Sequence, residues 1–456
     1  MATGCGLDIF TGTLAPAIAS ARHEILFVTC FLANLSPSLA ALSDALRALA
    51  AVRAGSSSAT KRPLRIRIGF SSRSLWQRLF HTFSRDGHVY SPDSWVSVLG
   101  LPDPEAMRAG GIDLEAKSLF FNPLGILHPK FVIIDRTTAW LPSCNTSWEC
   151  WFEGCVQVRG HVVEKQLLGF WSDVWGRGNG WLLAEHNWGG DDASSDHDEQ
   201  PPETDQRGQP PNGKISVHTV RLDRSLTSIP TVLLPSSWHV NPRFQPLPFF
   251  PAISPPMTPL NTALLTLLAG ARSSIYLISP NVTCPAVLDA LLAAVARGVD
   301  VHILTSRKMM VLEQLVTAGT TTERCLARLR DRYTRLKAHG PHVVPWWRRL
   351  ICWKQQDRDR TAADMEADQA AAPLTGTLTI QHYKPDPNRD DQSDEPVLLH
   401  FKLTLVDDEY LVLGSGNMDR ASWYTSQELG IMFYSPTGFA EWAQAWAVPL
   451  STRTAS

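Results

Sequence analysis

The sequence predicts an α/β protein made of two similar halves, each with helices packed on a mixed β-sheet. Apolar runs of strand length alternate with Ala/Leu-rich helical segments in both halves, in the same order, which is typical of helices layered on a sheet. A motif with fixed spacing also occurs once in each half, at 128–145 and at 400–417. Together these observations predict two α/β/α lobes that pack as a pseudo-twofold dimer within one chain.

The predicted elements of the first half recur in the second. Each half has a helix, a buried apolar strand, an Ala/Leu-rich helix and another strand before its motif. In the first half these four segments are 13–22, 24–32, 38–55 and 65–70, and in the second half 258–272, 274–283, 285–298 and 299–306. The apolar run 117–123 is predicted to be the strand that leads into His128.

An acidic segment divides the chain. Residues 184–214 contain eight acidic and two basic residues, several prolines and glycines, and only Trp188 as a large apolar side chain. Such a composition cannot bury enough apolar surface to fold, and it indicates a disordered linker. The sequence therefore predicts an N-terminal lobe at 1–183, this linker at 184–214, and a C-terminal lobe at 215–456.

Five residue identities are shared by the two motifs at a constant spacing. They are His128, Lys130, Asp135, Ser143 and Asn145 in the first motif, and His400, Lys402, Asp407, Ser415 and Asn417 in the second. In each motif two short β-rich runs surround the Asp, which predicts a β-hairpin.

Side-chain alternation along these strands decides which motif residues lie together. The His and the Lys share one face, and the turn brings the Ser and the Asn back beside them. The Asp lies at the far end of the hairpin, on the order of 15 Å away. We therefore expect it to be a structural turn residue that accepts hydrogen bonds from the local backbone.

Two histidines, two lysines and two asparagines suit a phosphodiester. Lysine ammonium groups and asparagine amides can bind the non-bridging oxygens through charge-assisted hydrogen bonds. One imidazole can attack phosphorus while the other protonates the leaving oxygen. Because the lysines already neutralise the phosphate, and neither motif has a nearby Asp/Glu/His cluster with metal-ligand spacing, we expect neither a metal ion nor another cofactor.

The pattern resembles the HxKx4Dx6GSxN signature of the phospholipase D superfamily. The second motif matches it in full, whereas the first has Pro142 where the family has Gly. Proline fixes φ and cannot donate a hydrogen bond, so we expect this strand to approach the phosphate differently. The resemblance, extended by the weaker repeat to nearly the whole chain, implies one shared site and a phosphohistidine intermediate. It also implies His128 as the nucleophile and His400 as the general acid.

The resemblance further implies a carboxylate, downstream of each motif, that orients the histidine. Glu153 and Glu428 occupy matching positions at the start of predicted strands. From there a carboxylate can reach an imidazole nitrogen and fix its tautomer. A solvated glutamate at a strand end is the alternative for each. Ser143 and Ser415 are expected to contact the substrate.

Two classes of phosphodiester are compatible with these residues, since some family members act on phospholipids and others cut nucleic acids. The formal net charge of −2 gives no overall attraction to nucleic acid. Trp346, Trp347, Arg348 and Arg349 suit the headgroup level of a membrane. The same patch also suits stacking on single-stranded nucleic acid, or a helix with its tryptophans in the core.

We therefore predict a phospholipase D-like or cardiolipin synthase-like enzyme with a phospholipid substrate and peripheral membrane contact. A nuclease is the first alternative, and a non-catalytic homologue that serves as a binding scaffold is the second. The sequence does not say whether water or an alcohol accepts the phosphoryl group. No feature of it calls for an obligate protein partner.

Three features predict an intracellular protein that is soluble or peripherally associated with a membrane. The N-terminus lacks the basic and apolar regions of a signal peptide. The longest apolar runs are shorter than the roughly 20 residues of a membrane-spanning helix. The eight cysteines form no CxxC pair, and nothing in their spacing demands an oxidising compartment.

Overall fold

The computed structural model of the protein shows two mixed β-sheets covered by helices. It describes residues 1–55, 62–121, 125–178, 180–183, 220–221, 226–237, 254–339, 375–385, 395–451 and 454–455. The predicted linker at 184–214 and the aromatic and basic patch at 346–349 lie outside these residues.

The strands of both sheets are numbered in chain order. They are β1 (Ala2–Cys5), β2 (Glu24–Phe31), β3 (Leu64–Ser72), β4 (His88–Tyr90), β5 (Ile112–Ser118), β6 (Phe131–Ile134), β7 (Thr138–Pro142), β8 (Trp151–Arg159), β9 (Val220–Arg221), β10 (Thr231–Ser236), β11 (Ser274–Ile278), β12 (Asp300–Thr305), β13 (Leu378–Tyr383), β14 (Leu398–Leu399), β15 (Leu403–Val406), β16 (Tyr410–Gly414), β17 (Glu428–Tyr434) and β18 (Thr454–Ala455).

The two sheets repeat the same internal order. The first contains β5-β3-β2-β6-β7-β8, and the second contains β13-β12-β11-β15-β16-β17. In each sheet the first three of these strands are parallel and the motif strands that follow are antiparallel. Strands β4, β1 and β9 extend the first sheet, and β10 and β18 extend the second. The predicted α/β fold with two mixed sheets is confirmed.

The helices follow the strands in both halves. They are α1 (Gly6–Ile9), α2 (Ala15–Ala19), α3 (Pro37–Ala54), α4 (Leu75–Leu79), α5 (Pro104–Ala109), α6 (Leu168–Val174), α7 (Pro259–Gly270), α8 (Pro285–Ala296), α9 (Val311–Ala318), α10 (Thr322–His339), α11 (Arg420–Tyr424) and α12 (Ala440–Ser451). Short π-helical turns at Phe10–Leu14, Trp95–Leu99 and Val162–Leu167, and a 3-10 turn at Pro92–Ser94, join them.

Local sequence explains where the long helices begin. Proline opens α3 and α7, where its missing N–H group costs no hydrogen bond. The preceding Ser36 and Thr258 are N-caps, each accepting a backbone N–H of the first turn at 3.2 Å. No helix in the described part of the chain is both long enough and apolar enough to span a membrane.

One hydrophobic cluster joins the two halves. It contains Phe131 and Trp171 from the first half together with Leu403 and Trp446 from the second, all fully buried or nearly so. Two further clusters, one in each half, lie between the helices and the sheet of that half. The halves therefore share a core as well as having their own.

One predicted strand is wrong. Strand β5 ends at Ser118, so the described residues that follow it in the predicted run 117–123 do not continue the strand; residues 122–123 lie outside the described part of the chain. Leu119 and Phe120 are apolar because they are buried in the core.

Both motif hairpins form as predicted, with consecutive positive φ angles at the turn, 50° and 59° in the first and 54° and 58° in the second. Their aspartates, Asp135 and Asp407, are structural, but the prediction that they bind local backbone is wrong. The donors are the backbone N–H groups of Arg22, His23 and Glu24 in the first half and of Arg272, Ser273 and Ser274 in the second. Each Asp thereby joins its hairpin turn to the start of the central strand, β2 or β11.

Candidate active site

Each motif histidine lies against the sheet of the opposite half. The two residues of β14, directly before His400, pair in parallel with the start of β8, and the His400 N–H donates to the Phe152 carbonyl at 2.9 Å. In the equivalent contact, the His128 N–H donates to the Gln427 carbonyl at 3.0 Å. Phe152 and Gln427 each directly precede a candidate glutamate, so each histidine lies beside the glutamate of the other half.

The histidine–glutamate pairs are accordingly crossed. His400 Nδ1 lies 2.7 Å from Glu153 Oε1, and His128 Nδ1 lies 2.9 Å from Glu428 Oε2. A carboxylate can only accept this bond, so Nδ1 carries the proton and Nε2 keeps its lone pair. That tautomer is the one a nucleophile needs. The sequence identified both glutamates, but it did not indicate that each serves the histidine of the opposite half.

The motif serines hold these glutamates. Ser143 donates its hydroxyl to Glu153 Oε2, and Ser415 donates to Glu428 Oε2 at 2.5 Å. Each hydroxyl oxygen also accepts the backbone N–H that follows its glutamate, at 2.9 Å and 3.0 Å. These bonds fix the carboxylates for the histidines. The expected contact of the serines with substrate stays a prediction.

The motif lysines are buried and lie against their own histidines. Lys130 Nζ donates to the His128 carbonyl at 2.8 Å, and Lys402 Nζ donates to the His400 carbonyl at 2.7 Å. Both side chains belong to residues only 3% exposed. Two ammonium groups held this close to the imidazoles make a site for an anion.

The two imidazoles have different surroundings. Lys402 Nζ lies 2.9 Å from His400 Nε2 and 3.0 Å from His400 Nδ1, and the ring of Trp151 packs on the His400 ring with centroids 4.7 Å apart. The His128 side chain is 16% exposed against 4% for His400. Among the described residues no group is hydrogen-bonded to His128 Nε2, which is therefore the more accessible nitrogen. Sequence reasoning missed Trp151, and only its position two residues before Glu153 signalled it.

The asparagines complete the two sets. The Oδ1 atoms of Asn145 and Asn417 are buried and have no hydrogen-bond partner within the described part of the chain. The Asn417 amide donates to Asp419 Oδ2 at 3.1 Å. The other carboxylate oxygen of Asp419, Oδ1, accepts a backbone N–H of the first turn of α11 and so caps that helix. Sequence reasoning also missed Asp419. Burial raises the pKa of Asp419 above its ordinary value.

Electrostatics keep the imidazoles neutral in this state. Burial lowers the pKa of His400 to about 3 and also lowers that of His128, although the paired carboxylate acts in the opposite direction. Lys130 and Lys402 both lower the pKa of each histidine, so the two motifs contribute to one site. Burial also lowers the pKa of Lys402 to about 7.

The glutamates remain ionised in spite of their surroundings. Burial acts to raise the pKa of Glu153 and Glu428, but the paired histidines and the motif serines hold both below the ordinary value. Each carboxylate can therefore stabilise a positive charge that forms on its imidazole. A neutral imidazole with an ionised carboxylate on Nδ1 suits attack on an electrophile.

Pro142 leaves the strand register unchanged. In the second half a Cβ at Gly414 would lie 2.4 Å from a backbone carbonyl oxygen of β17, so only glycine fits there. In the first half Pro142 pairs with Cys155 of β8. The motif serine follows this position in each half. Its backbone N–H donates to a backbone carbonyl of the neighbouring strand, at 2.7 Å in the first half and at 3.0 Å in the second.

No group of three or more His, Cys, Asp or Glu side chains that could hold a metal ion occurs in the described ranges.

Comparisons with known proteins agree with this architecture. Residues 264–447 match the family described as cardiolipin synthase, PLD-like domain. Phosphatidylserine synthase from Haemophilus influenzae Rd KW20 has a TM-score of 0.51 at 11% identity, over 99% of this chain and 86% of that chain. This likeness shows a shared fold across the whole chain.

Two other solved structures align with lower scores. Polyphosphate kinase from Porphyromonas gingivalis has a TM-score of 0.41 at 11% identity, over 94% of this chain and 46% of that chain. Nuc from Salmonella typhimurium, a phospholipase D family member, has a TM-score of 0.26 at 15% identity, over 43% of this chain and 88% of that chain. No curated protein sequence matches the chain.

Proposed function

We propose that the chain is a phospholipase D superfamily enzyme that cleaves or transfers a phosphodiester of a phospholipid, without a metal ion, through a phosphohistidine intermediate. The match of residues 264–447 to a PLD-like family model supports this proposal. The observation that carries this proposal is the pair of crossed histidine–glutamate contacts at 2.7 Å and 2.9 Å, beside two buried lysines. This arrangement supports a mechanism in which a nucleophile, an acid and two cations act on one phosphate.

His128 is the nucleophile in the proposed first step. Its Nε2 is the more accessible, while its Nδ1–H donates to Glu428 at 2.9 Å. The Nε2 lone pair forms a bond to phosphorus as the bond from phosphorus to the leaving oxygen breaks. Protonated His400 gives its proton to that oxygen. Glu428 stabilises the positive charge that the P–N bond leaves on the His128 ring.

His400 must therefore gain a proton before the first step. Its low pKa arises from burial, opposed by Glu153 and reinforced by Lys402 and Lys130. An anionic phosphate bound between the lysines offsets their charges, and this raises the pKa of His400. Lys402 Nζ, 2.9 Å from His400 Nε2, is the adjacent proton donor.

The second step releases the enzyme. Neutral His400 takes a proton from water or from an alcohol, whose oxygen attacks phosphorus as the P–N bond breaks. Water yields hydrolysis, and an alcohol yields transfer to a new headgroup. The same two side chains serve both outcomes, so the acceptor alone determines the product.

Exposed apolar side chains favour a lipid over a nucleic acid. Trp76, Phe80 and Phe83 in and after α4 are 71–86% exposed, and Leu312 and Val316 of α9 are 77% and 54% exposed. α4 follows β3 and α9 follows β12, which are equivalent strands of the two halves. Large exposed apolar side chains on both halves suit contact with a membrane surface.

Product analysis tests the proposal. Purified protein is incubated with mixed phospholipids, with glycerol or phosphatidylglycerol as acceptor, and separately with single-stranded DNA. We expect a released headgroup or a transferred phosphatidyl group and intact DNA, and His128→Ala should abolish the reaction. Cleaved DNA with unchanged lipid would instead establish the nuclease.

A further inference from the structure

A basic cavity lies apart from the two histidines, between α9, α10 and β13. Its volume is about 660 Å³. The charged and titratable residues that line it are Arg307, Lys308, Glu323, Arg324, Arg330 and His382. Four cations face a single carboxylate, so with a neutral imidazole the lining carries a net charge of +3. Such a lining attracts an anion.

Most of these cations have no partner. Within the described part of the chain, the side chains of Arg307, Lys308 and Arg324 make no hydrogen bond or ion pair. Arg330 uses one of its N–H groups, donating to the Ile380 carbonyl at 3.1 Å. The carboxylate of Glu323 accepts the Lys308 backbone N–H at 2.7 Å, which fixes the loop rather than neutralising a side chain. Among the described residues, these donors therefore remain available to a ligand.

A buried imidazole points to a ligand independently of the charge. His382 is only 6% exposed, and its Nδ1 has no hydrogen-bond partner among the described residues. Burial lowers the pKa of His382, and Arg307 and Arg330 lower it further, so both cations act on this ring. Buried polar atoms in proteins nearly always have a partner. A ligand in the cavity would supply one.

The cavity is joined to the active site through one residue. Ser306, directly before Arg307, donates its hydroxyl to the Leu399 carbonyl at 2.8 Å and accepts the Leu399 N–H at 2.8 Å. Leu399 in turn directly precedes His400. The wall on the α9 side is apolar, with Val311 and Leu315. A ligand here would contact cations on one side and hydrocarbon on the other.

We propose that this cavity binds the phosphate group of a second, anionic phospholipid, distinct from the phosphodiester that reacts at His128. The inference rests on the proposed lipid substrate. Arg307, Lys308 and Arg324 would bind the phosphate oxygens, and the apolar part of the lipid would pack on α9. Free glycerol phosphate shares the phosphate chemistry but lacks this apolar part.

Binding of a monomeric short-chain lipid tests the cavity directly. The probe is dihexanoyl phosphatidylglycerol below its micelle concentration, measured by calorimetry on the full chain. Arg307→Gln and Arg324→Gln remove cavity cations, whereas Arg328→Gln, an exposed residue of the same helix as Arg324, removes an equal charge outside the cavity. Two sites are expected in wild type and in Arg328→Gln. At one of them each cavity variant should weaken binding about tenfold or more.

A soluble substrate separates this proposal from the proposed function. A nitrophenyl phosphodiester has no lipid part and reacts at the active site alone, so its turnover should be equal in wild type and in all three arginine variants. If wild type does not turn over the nitrophenyl phosphodiester, the result contradicts the proposed function and not the cavity proposal. The cavity proposal is overturned if Arg328→Gln weakens lipid binding as much as the cavity variants do. It is also overturned if glycerol phosphate binds as tightly as the lipid, or if a trinucleotide takes the same site.

Discussion

At the residue scale, the two histidines have equivalent partners at Nδ1 and different surroundings at Nε2. Lys402 lies 2.9 Å from His400 Nε2, and Trp151 covers the His400 ring. The Lys402 Nζ also lies 3.0 Å from His400 Nδ1, and its charge disfavours the positive charge that attack by the His400 ring would create. The free Nε2 of His128 is therefore the better candidate for attack.

Substitution of each histidine tests this division of roles. With a nitrophenyl phosphodiester, whose leaving group needs no proton, His400→Ala should still form the covalent intermediate, and His128→Ala should not. With a phospholipid, loss of the acid should cost about 10²- to 10⁴-fold in rate. Rapid quench and peptide mapping would locate the phosphorus, and phosphate on His400 would reverse the assignment.

The crossed pairs make a prediction that the motif spacing does not. Because Glu428 contacts His128 and Glu153 contacts His400, Glu428→Gln should impair the nucleophile and Glu153→Gln the acid. On the nitrophenyl substrate we expect Glu428→Gln to lose about 10²-fold or more, and Glu153→Gln to stay within about tenfold of wild type. The initial burst of nitrophenol measures both. The opposite order would mean that each glutamate serves its own motif.

The buried neutral histidines predict loss of stability in acid. The pKa of His400 is about 3 in the folded protein against 6.5 ordinarily, and that of His128 is also lowered. As the pH falls below 6.5 the unfolded chain therefore binds protons that the folded chain does not, so stability is complete above 6.5 and declines below it. Each such histidine contributes at most about 1.4 kcal/mol per pH unit.

Denaturation in urea at several pH values measures this decline. His400→Gln removes one of the histidines whose pKa is lowered in the folded protein, so its free energy of unfolding should fall less steeply than that of wild type between pH 6.5 and 5. An equal slope in the two proteins would show that His400 is protonated in the folded state. Below pH 4.5, the ordinary pKa of the carboxyl groups, Glu153 and Glu428 destabilise the fold in the same direction.

At the element scale, each motif aspartate fastens a hairpin to the central strand. Asp407 accepts the N–H groups of Arg272, Ser273 and Ser274 at 2.8–3.1 Å. Although burial acts in the opposite direction, these donors hold the pKa of Asp407 below its ordinary value. The hairpin that carries Lys402 is thereby positioned from its far end.

Asp407→Asn should destabilise the protein without altering its chemistry. Asparagine tolerates the positive φ of 54° at this position, so the substitution removes mainly the charge. We expect a loss of about 1.5–3 kcal/mol in the free energy of unfolding. The control Asp289→Asn, which breaks an exposed pair with Arg332, should cost about 0–1 kcal/mol. Lower activity per folded molecule of Asp407→Asn would place Asp407 in the site.

The elements that sequence reasoning predicted are those with long periodic or apolar runs. The helices α3, α7 and α8 and the strands β2, β3, β12 and β17 lie close to the predicted segments, because burial of one face enforces a regular pattern. The run at 117–123 has the same composition without the same structure. Apolar composition therefore predicts that a segment is buried, but it does not predict that the segment pairs with a neighbouring strand.

The composition of the site was predictable, but its connections were not. The spacing that the two motifs share placed the His, Lys, Ser and Asn side chains of each hairpin together, because strand geometry is local. The crossed glutamates depend on β14, a two-residue strand that joins the opposite sheet. Trp151 and Asp419 reach the site through tertiary packing. Contacts between residues that are far apart in the sequence leave no periodic pattern from which they could be predicted.

At the scale of the whole molecule, the two halves are connected by strands, by a shared core and by hydrogen bonds, besides the crossed histidine–glutamate pairs. The strands β9 and β14, which follow the predicted linker, pair in the first sheet. A shared hydrophobic cluster contains side chains from both halves. The Thr3 hydroxyl of β1 also donates to the Ala445 carbonyl of α12. Neither histidine would keep its carboxylate if the halves separated.

This interlocking predicts a single cooperative unfolding transition. Separation of the halves would expose the shared cluster and leave two buried carboxylates without their histidines, so neither half gains by remaining folded alone. Differential scanning calorimetry should show one peak whose calorimetric enthalpy equals the van't Hoff enthalpy. Two substitutions test this: Phe131→Ala in the shared cluster, and Ile303→Ala in a cluster confined to the second half. Each should lower the free energy of unfolding by about 2–5 kcal/mol and shift the whole peak to lower temperature. Two resolved peaks, or an Ile303 variant that lowers only one part of the trace, would show that the lobes unfold independently.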